Sequence, residues 1–215
     1  MDLYFAPLAC SMASRIALVE AGAKVNLLEV DTAARTVLGA GEDYRAINPL
    51  GYVPALRLDD GSVLTENAAV LQYLADAFPD AKLAPPESDR EGRAKLRQWL
   101  SFIGSELHKG LMTPLLGSKT PPEVKAWTIE KYASRLAYLN EKLAGREFLL
   151  ERFSVADAYL ATVLNWTRAT PEIDLANYPN VKAYLDRMRA RPVFAAALAT
   201  EIPLFQAEMT RRKAA

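Results

Sequence analysis

Residues 47–76 read INPLGYVPALRLDDGSVLTENAAVLQYLAD, and their pattern decides the fold of the first half of the chain. Pro54–Leu58 and Ser62–Leu64 are short apolar runs around Asp59-Asp60-Gly61, and Asp-Gly between such runs signals a β-hairpin. From Glu66 onward Val70, Leu71, Leu74 and Phe78 recur at helical spacing. Upstream, Asp2–Phe5 reads as a strand ended by Pro7, Ser14–Ala21 as a helix stopped by Gly22, and Val25–Val30 as a second strand. Thr32–Arg45 is polar and reads as loop or irregular helix. A crossover through a helix makes strands parallel and a tight hairpin makes them antiparallel, so the sheet is mixed.

Downstream the pattern changes. Pro79–Pro86 holds three prolines and no periodicity, which marks a linker. No strand pattern follows it. Three S/T-x-x-D/E capping boxes open helices instead: Ser88–Glu91, Thr120–Glu123 and Ser154–Asp157, the last with Phe153 as a hydrophobic staple. Ile129, Tyr132, Leu136, Leu139 and Leu143 form a core stripe. Tyr178–Arg189 and Pro192–Ala199 read as two further helices, and Arg211-Arg212-Lys213 as a frayed, solvated end. The expected fold class is therefore α/β plus all-α: an N-terminal domain over residues 1–80 with a mixed sheet and flanking helices, a linker over 81–87, and a C-terminal helical bundle over 88–215.

Composition narrows the function. The 26 basic and 26 acidic residues balance, which disfavours nonspecific nucleic-acid binding. No apolar run approaches the ~18 residues that span a bilayer, and the N-terminus lacks a signal-peptide pattern, so a cytoplasmic enzyme away from membranes is expected. A single cysteine and a single histidine exclude an internal disulfide and disfavour a metal site.

Four places have chemical potential. Cys10-Ser11 sits where the first strand turns into a helix, whose N-terminus stabilises a thiolate, whether from Cys10 or from a ligand; a small buried filler is the plain alternative. Val53-Pro54 opens a strand. A cis bond there would turn the N–H and C=O of Val53 outward, ready to pair with a peptide backbone; the alternative is an ordinary trans proline at a strand edge. Thr65-Glu66-Asn67 starts a helix whose N–H groups suit a carboxylate ligand, although an acid in a first turn is common for dipole reasons alone. In the helix around Trp99–Met112, Leu96, Trp99, Leu100, Ile103, Leu107 and Leu111 share one face at ~100° per residue. Gln98, Ser101, Ser105, His108 and Lys109 fall on the other, which is either a solvated side or a surface open to a ligand.

Taken together, LYFAPLACSMASRIALVEAG (3–22), the stretch 47–76, WLSFIGSELHKG (99–110), FSVADAYL (153–160) and YPNVKAYLDRMRARPVFAAAL (178–198) resemble a glutathione S-transferase, most closely the bacterial beta class. The resemblance spans nearly the whole chain. It implies a thioredoxin-like N-terminal domain, glutathione as co-substrate, a homodimer, no metal, and conjugation of the glutathione thiol to electrophilic, mostly apolar small molecules, as in detoxification. It also implies residue roles. Val53 would pair with the cysteinyl part of glutathione, with Pro54 holding that geometry, and Glu66 and Asn67 would hold the γ-glutamyl end. Arg35 would lie near the glycyl carboxylate and Tyr52 beside the tripeptide. Ser105, Glu106, His108 and Lys109 would come from the helical domain, and Cys10 and Ser11 would flank the sulfur. Leu8, Met112 and Trp166 are the expected lining of an apolar second pocket. Asn67 stands where relatives carry a smaller residue, Ser101 where they can carry asparagine, and Ser14-Arg15 departs from a proline-containing version of the turn.

A site that favours the thiolate enriches the nucleophile, since a free thiol titrates near ~8.5. Cys10 also permits a mixed disulfide with glutathione. Other glutathione-dependent chemistry on the same fold (disulfide reductase or peroxidase, isomerase, dehalogenase) and a non-catalytic interaction module are the rival readings.

Overall fold

The computed structural model describes residues 1–214; residue 215, the last of the C-terminal domain expected from sequence, lies outside them. The chain forms two compact units, one from Met1–Leu83 together with the segment from Arg191 onward, the other from Ala84–Ala190.

The first unit is built on a five-stranded sheet in the order β3-β2-β1-β4-β5. Strand β1 (Asp2–Phe5) runs parallel to β2 (Asn26–Asp31) and antiparallel to β4 (Ala55–Arg57), which pairs antiparallel with β5 (Val63–Thr65). The mixed sheet follows from the connections: helix α1 (Ser11–Glu20) crosses over between β1 and β2, and Gly61, at φ 84°, closes the β4–β5 hairpin. A two-residue strand β3 (Thr36–Val37) edges the sheet inside the segment expected to be loop or irregular helix. Alternation along β1 buries Leu3 and Phe5 on one face and Tyr4 on the other, where Tyr4 joins Val30, Val37, Tyr44 and Ala55 in a small core. Helix α2 (Asn67–Ala77) buries Val70, Leu71 and Leu74.

Helix α1 begins three residues earlier than expected. The Ser11 hydroxyl donates to the Ala6 carbonyl and accepts from the Ala6 N–H, both at 3.2 Å, so the turn is tied before the helix starts. The last helix of the chain, α8 (Pro192–Ala214), corrects two expectations. It does not stop at Ala199, because Pro203 is accommodated inside it. Its basic end is not frayed: Arg211 donates to Glu29 at 2.8 Å and Arg212 to the Thr32 hydroxyl at 3.1 Å. At the other end Arg191 pairs with Glu20 at 2.7 Å.

The second unit is helical. Helix α3 (Arg90–Phe102) is capped by Asp89, which accepts from the Gly92 N–H at 2.8 Å, so the cap lies one residue beyond Ser88. Next come a π-helical stretch (Ile103–Met112) and the short α4 (Thr113–Leu116). Helix α5 (Pro122–Lys142) is preceded by Pro121 at its N-cap, which leaves Thr120 outside the helix rather than capping it. Helix α6 (Val155–Asn165) carries the expected capping box, and α7 (Pro179–Ala190) follows. The Asp157 carboxylate at that box is fully buried and accepts from the N–H and hydroxyl of Ser154, the Leu149 N–H and the Tyr184 hydroxyl. Leu136, Leu139 and Leu143 are buried as expected, while Ile129 and Tyr132 are half-buried. Among the described residues no helix is long and apolar enough to cross a membrane.

Candidate active site

Strand directions gather the expected residues of the first unit at one end of its sheet. Phe5 is the last residue of β1, and β2 runs beside it in the same sense, so the loops carrying Cys10 and Arg35 leave from the same edge. Tyr4 pairs with Ala55 and Ala55 with Thr65, so Val53-Pro54 and Glu66 lie at that edge too. Open α/β sheets bind ligands beyond the carboxyl ends of their parallel strands.

The Val53–Pro54 bond is cis. Cys10 is the N-cap of α1, is 9% exposed, and donates through Sγ to the Val53 carbonyl at 3.2 Å. The first thiol of the site and the expected peptide anchor are thus in direct contact. Ser11, in contrast, is fully buried with its hydroxyl committed to Ala6. Glu66 precedes α2 at φ 65° and ψ 115°, a conformation side chains rarely adopt, with its side chain exposed. The side chain of Asn67 turns inward, where its Oδ1 accepts from the Ser14 hydroxyl at 2.9 Å. Ser14 and Asn67 therefore tie α1 to α2. Tyr52 is 63% exposed, and its carbonyl accepts from the Tyr44 hydroxyl at 2.8 Å and Asn48 Nδ2 at 2.7 Å. Arg35, at φ 60°, is exposed beside Gly51.

Sequence reasoning missed Glu201 on α8. Its Oε2 accepts from the Leu8 N–H at 2.7 Å and its Oε1 lies 3.4 Å from Arg15 Nη1. It therefore grips the turn between β1 and Cys10, in which Leu8 holds φ 56°. Burial pushes its carboxyl up to about 7, against the opposing effects of the Leu8 N–H and Arg15. A lone acid within the apolar run Phe194–Phe205 was the available signal.

In the second unit, His108 corrects the helical-wheel reading. It is not on a polar outer face but buried alongside Leu107. In the π-helical stretch the chain closes across five residues, as in the Thr113 N–H to His108 carbonyl bond. This wider winding turns less per residue than the ~100° of an α-helix, which brings His108 round toward the side where Ile103 and Leu107 are buried. His108 Nδ1 lies 2.7 Å from the Tyr159 hydroxyl, and the ring meets Trp166 edge-on at 4.9 Å. Burial, and secondarily Lys109, lowers its pKa to about 4, so the ring is uncharged at neutral pH. Ser105 donates to the Ser101 carbonyl at 2.9 Å, and Glu106 accepts from Arg135 at 2.8 Å. Those two residues line a cleft of about 520 Å³ with Phe102 and Tyr138 that does not include His108. Lys109 is exposed, Trp166 and Leu8 are half-buried, and Met112 is fully enclosed.

Comparison with known proteins places these features in context. Residues 9–77 match the family described as glutathione S-transferase, N-terminal domain, and residues 105–192 match glutathione S-transferase, C-terminal domain. The chain is 43% identical over 202 residues to glutathione S-transferase GstA of Escherichia coli O157:H7, covering 94% of this chain and 98% of that protein. Among solved structures, it is similar to a sphingomonad glutathione S-transferase complexed with glutathione, at 45% identity and a TM-score of 0.87, over 94% of this chain and 98% of that one. It is also similar to a bacterial beta class glutathione S-transferase of Sphingomonas chungbukensis, at 43% identity and a TM-score of 0.87, with the same coverage of both chains.

Proposed function

The chain belongs to the glutathione S-transferase family, and from that premise we propose that it takes glutathione as co-substrate and joins its thiol to electrophilic, mostly apolar small molecules. The observation that carries the reading is the contact of Cys10 Sγ with the Val53 carbonyl at 3.2 Å, at the sheet edge that also holds Glu66 and Arg35. In this reading the main chain of Val53 pairs with the cysteinyl residue of glutathione, with Pro54 alongside. The N–H groups opening α2 at Asn67 receive its γ-glutamyl carboxylate, and Glu66 accepts from its ammonium. Arg35 meets the glycyl carboxylate and Tyr52 flanks the tripeptide. His108, uncharged, acts as a hydrogen-bond partner of the sulfur rather than as a positive charge, with Ser105, Glu106 and Lys109 contributing polar contacts. Leu8 and Trp166 are the proposed contacts of the electrophile; Met112, being enclosed, would act only through packing. Ser11 would support the turn beneath the sulfur through its bonds to Ala6.

The chemistry is a displacement or addition. The thiol loses its proton, the sulfur lone pair forms the carbon–sulfur bond, and in displacement the leaving group departs with the bonding electrons. Anchoring the tripeptide along its length contributes proximity, and a lowered thiol pKa contributes nucleophile. The same reading makes the protein a cytoplasmic homodimer. Calorimetry with millimolar glutathione, followed by conjugation of chlorodinitrobenzene, tests it: saturable heat and turnover are expected, and well-folded protein that releases no heat would sink it.

The placement of Cys10 at a helix N-terminus favours a second activity, thiol–disulfide exchange. The Cys10 thiolate would attack a glutathione-containing disulfide, releasing one thiolate, and a second glutathione would resolve the mixed disulfide. A Cys10→Ala variant that reduces hydroxyethyl disulfide as well as the wild type does would exclude that activity.

A further inference from the structure

We propose that Tyr159 is a positioning residue for His108: its hydroxyl donates to Nδ1, which puts the only hydrogen of the ring on Nε2 and makes Nε2–H the donor that a glutathione thiolate accepts from. The inference rests on the assignment of His108 to the reaction given above.

Geometry carries it. The Tyr159 hydroxyl and His108 Nδ1 are 2.7 Å apart, both side chains are buried, and the rings stand perpendicular at 5.9 Å. Trp166 also meets the imidazole edge-on, at 4.9 Å between ring centroids, so two aromatic groups pack against the ring. Tyr159 sits on α6 two residues beyond the capping box that fixes the start of that helix, which makes it a rigid support.

The direction of the bond follows from acid–base strength. A phenol is a stronger acid than the N–H of neutral imidazole, and an imidazole nitrogen is a stronger base than a phenolic oxygen, so O–H···N is the favoured arrangement. His108 stays uncharged at neutral pH, as its burial requires, so one nitrogen carries hydrogen and the other does not. With Nδ1 accepting, the hydrogen lies on Nε2. Without the phenol, the ring is free to place its hydrogen on Nδ1 and lose the donor.

His108 is the only histidine in the chain, so its ring nitrogens are observed without ambiguity. In a long-range proton–nitrogen correlation spectrum of nitrogen-15-labelled protein at neutral pH, we expect Nε2 protonated and Nδ1 bare. Tyr159→Phe, which keeps the ring and removes the donor, is expected to mix the two tautomers. It should also lower kcat/KM for conjugation up to about tenfold, with KM for glutathione nearly unchanged. An Nδ1–H tautomer in the wild type overturns the proposal, whether or not the variant folds. So does a Tyr159→Phe protein with the wild-type tautomer or wild-type kcat/KM. A His108→Asn variant with full activity would remove His108 from the reaction, and with it the positioning role, while leaving glutathione binding and turnover intact as findings; that separates this failure from failure of the transferase reading itself.

Discussion

Glu201 and His108 are two buried titratable groups whose pKa values have moved in ways that act on stability with opposite slopes. The Glu201 carboxyl, with no water access, titrates near 7 instead of 4.5. Between those values the folded chain holds a proton that the unfolded chain has released, so its stabilising effect is full below about 4.5 and fades as pH rises to 7, by roughly 3 kcal/mol in all. His108 titrates near 4 instead of 6.5, so the unfolded chain takes up a proton first. Its effect is full above 6.5 and fades as pH falls toward 4. Between about 4.5 and 6.5 the two slopes oppose each other, so over that range urea midpoints are expected to rise with pH for Glu201→Gln, which leaves only the His108 effect, and to fall with pH for His108→Asn, which leaves only that of Glu201. Parallel curves for wild type and variants would contradict both. Cys10, Val53 and Glu66 were legible in the sequence because each lies at a junction that proline, glycine or a helix start marks locally. Glu201 was not, because the backbone group it holds is 193 positions away.

At the scale of elements, Asp157 shows how one side chain holds several segments. It receives four donors from Leu149, Ser154 and Tyr184, and burial raises its pKa, opposed by those bonds. Asp157→Ala strands those donors in the core, and the expected loss is about 3 kcal/mol or more, read as a lower melting temperature; a change below about 1 kcal/mol would contradict this account. The box was readable because its motif is local and its geometry is fixed by four consecutive residues. The other two boxes were misplaced because Asp89 competes with Ser88 as a cap and proline displaces Thr120. Helical periodicity put the apolar face of residues 96–111 in the right place but turned His108 outward, since no composition signal marks a switch to π-helical closure. Strand β3 escaped because two residues are too few to show alternation.

At the scale of the molecule, the unit holding the sheet is assembled from both ends of the chain. Helix α8, with Arg191 just before it, is tied to the rest of that unit through Glu201 on Leu8 and Arg15, Arg191 on Glu20, and Arg211 on Glu29. A chain ending at residue 190 should show faster amide hydrogen exchange in the turn before Cys10 and along β2, and weaker retention on glutathione resin; exchange unchanged in both places would mean that α8 is a passive addition. That the sheet half would recruit the last helix was invisible in sequence, because Pro203 reads as a stop and the salt-bridge partners lie more than 170 positions apart. Protein synthesis gives this arrangement a timetable. The ribosome releases Leu83 about a hundred residues before Arg191, an interval of ~5–20 s at ordinary elongation rates. Throughout it the left-handed turn at Leu8 has no carboxylate to hold it, so the nascent sheet half waits incomplete, open to chaperones, until the codons of α8 are read.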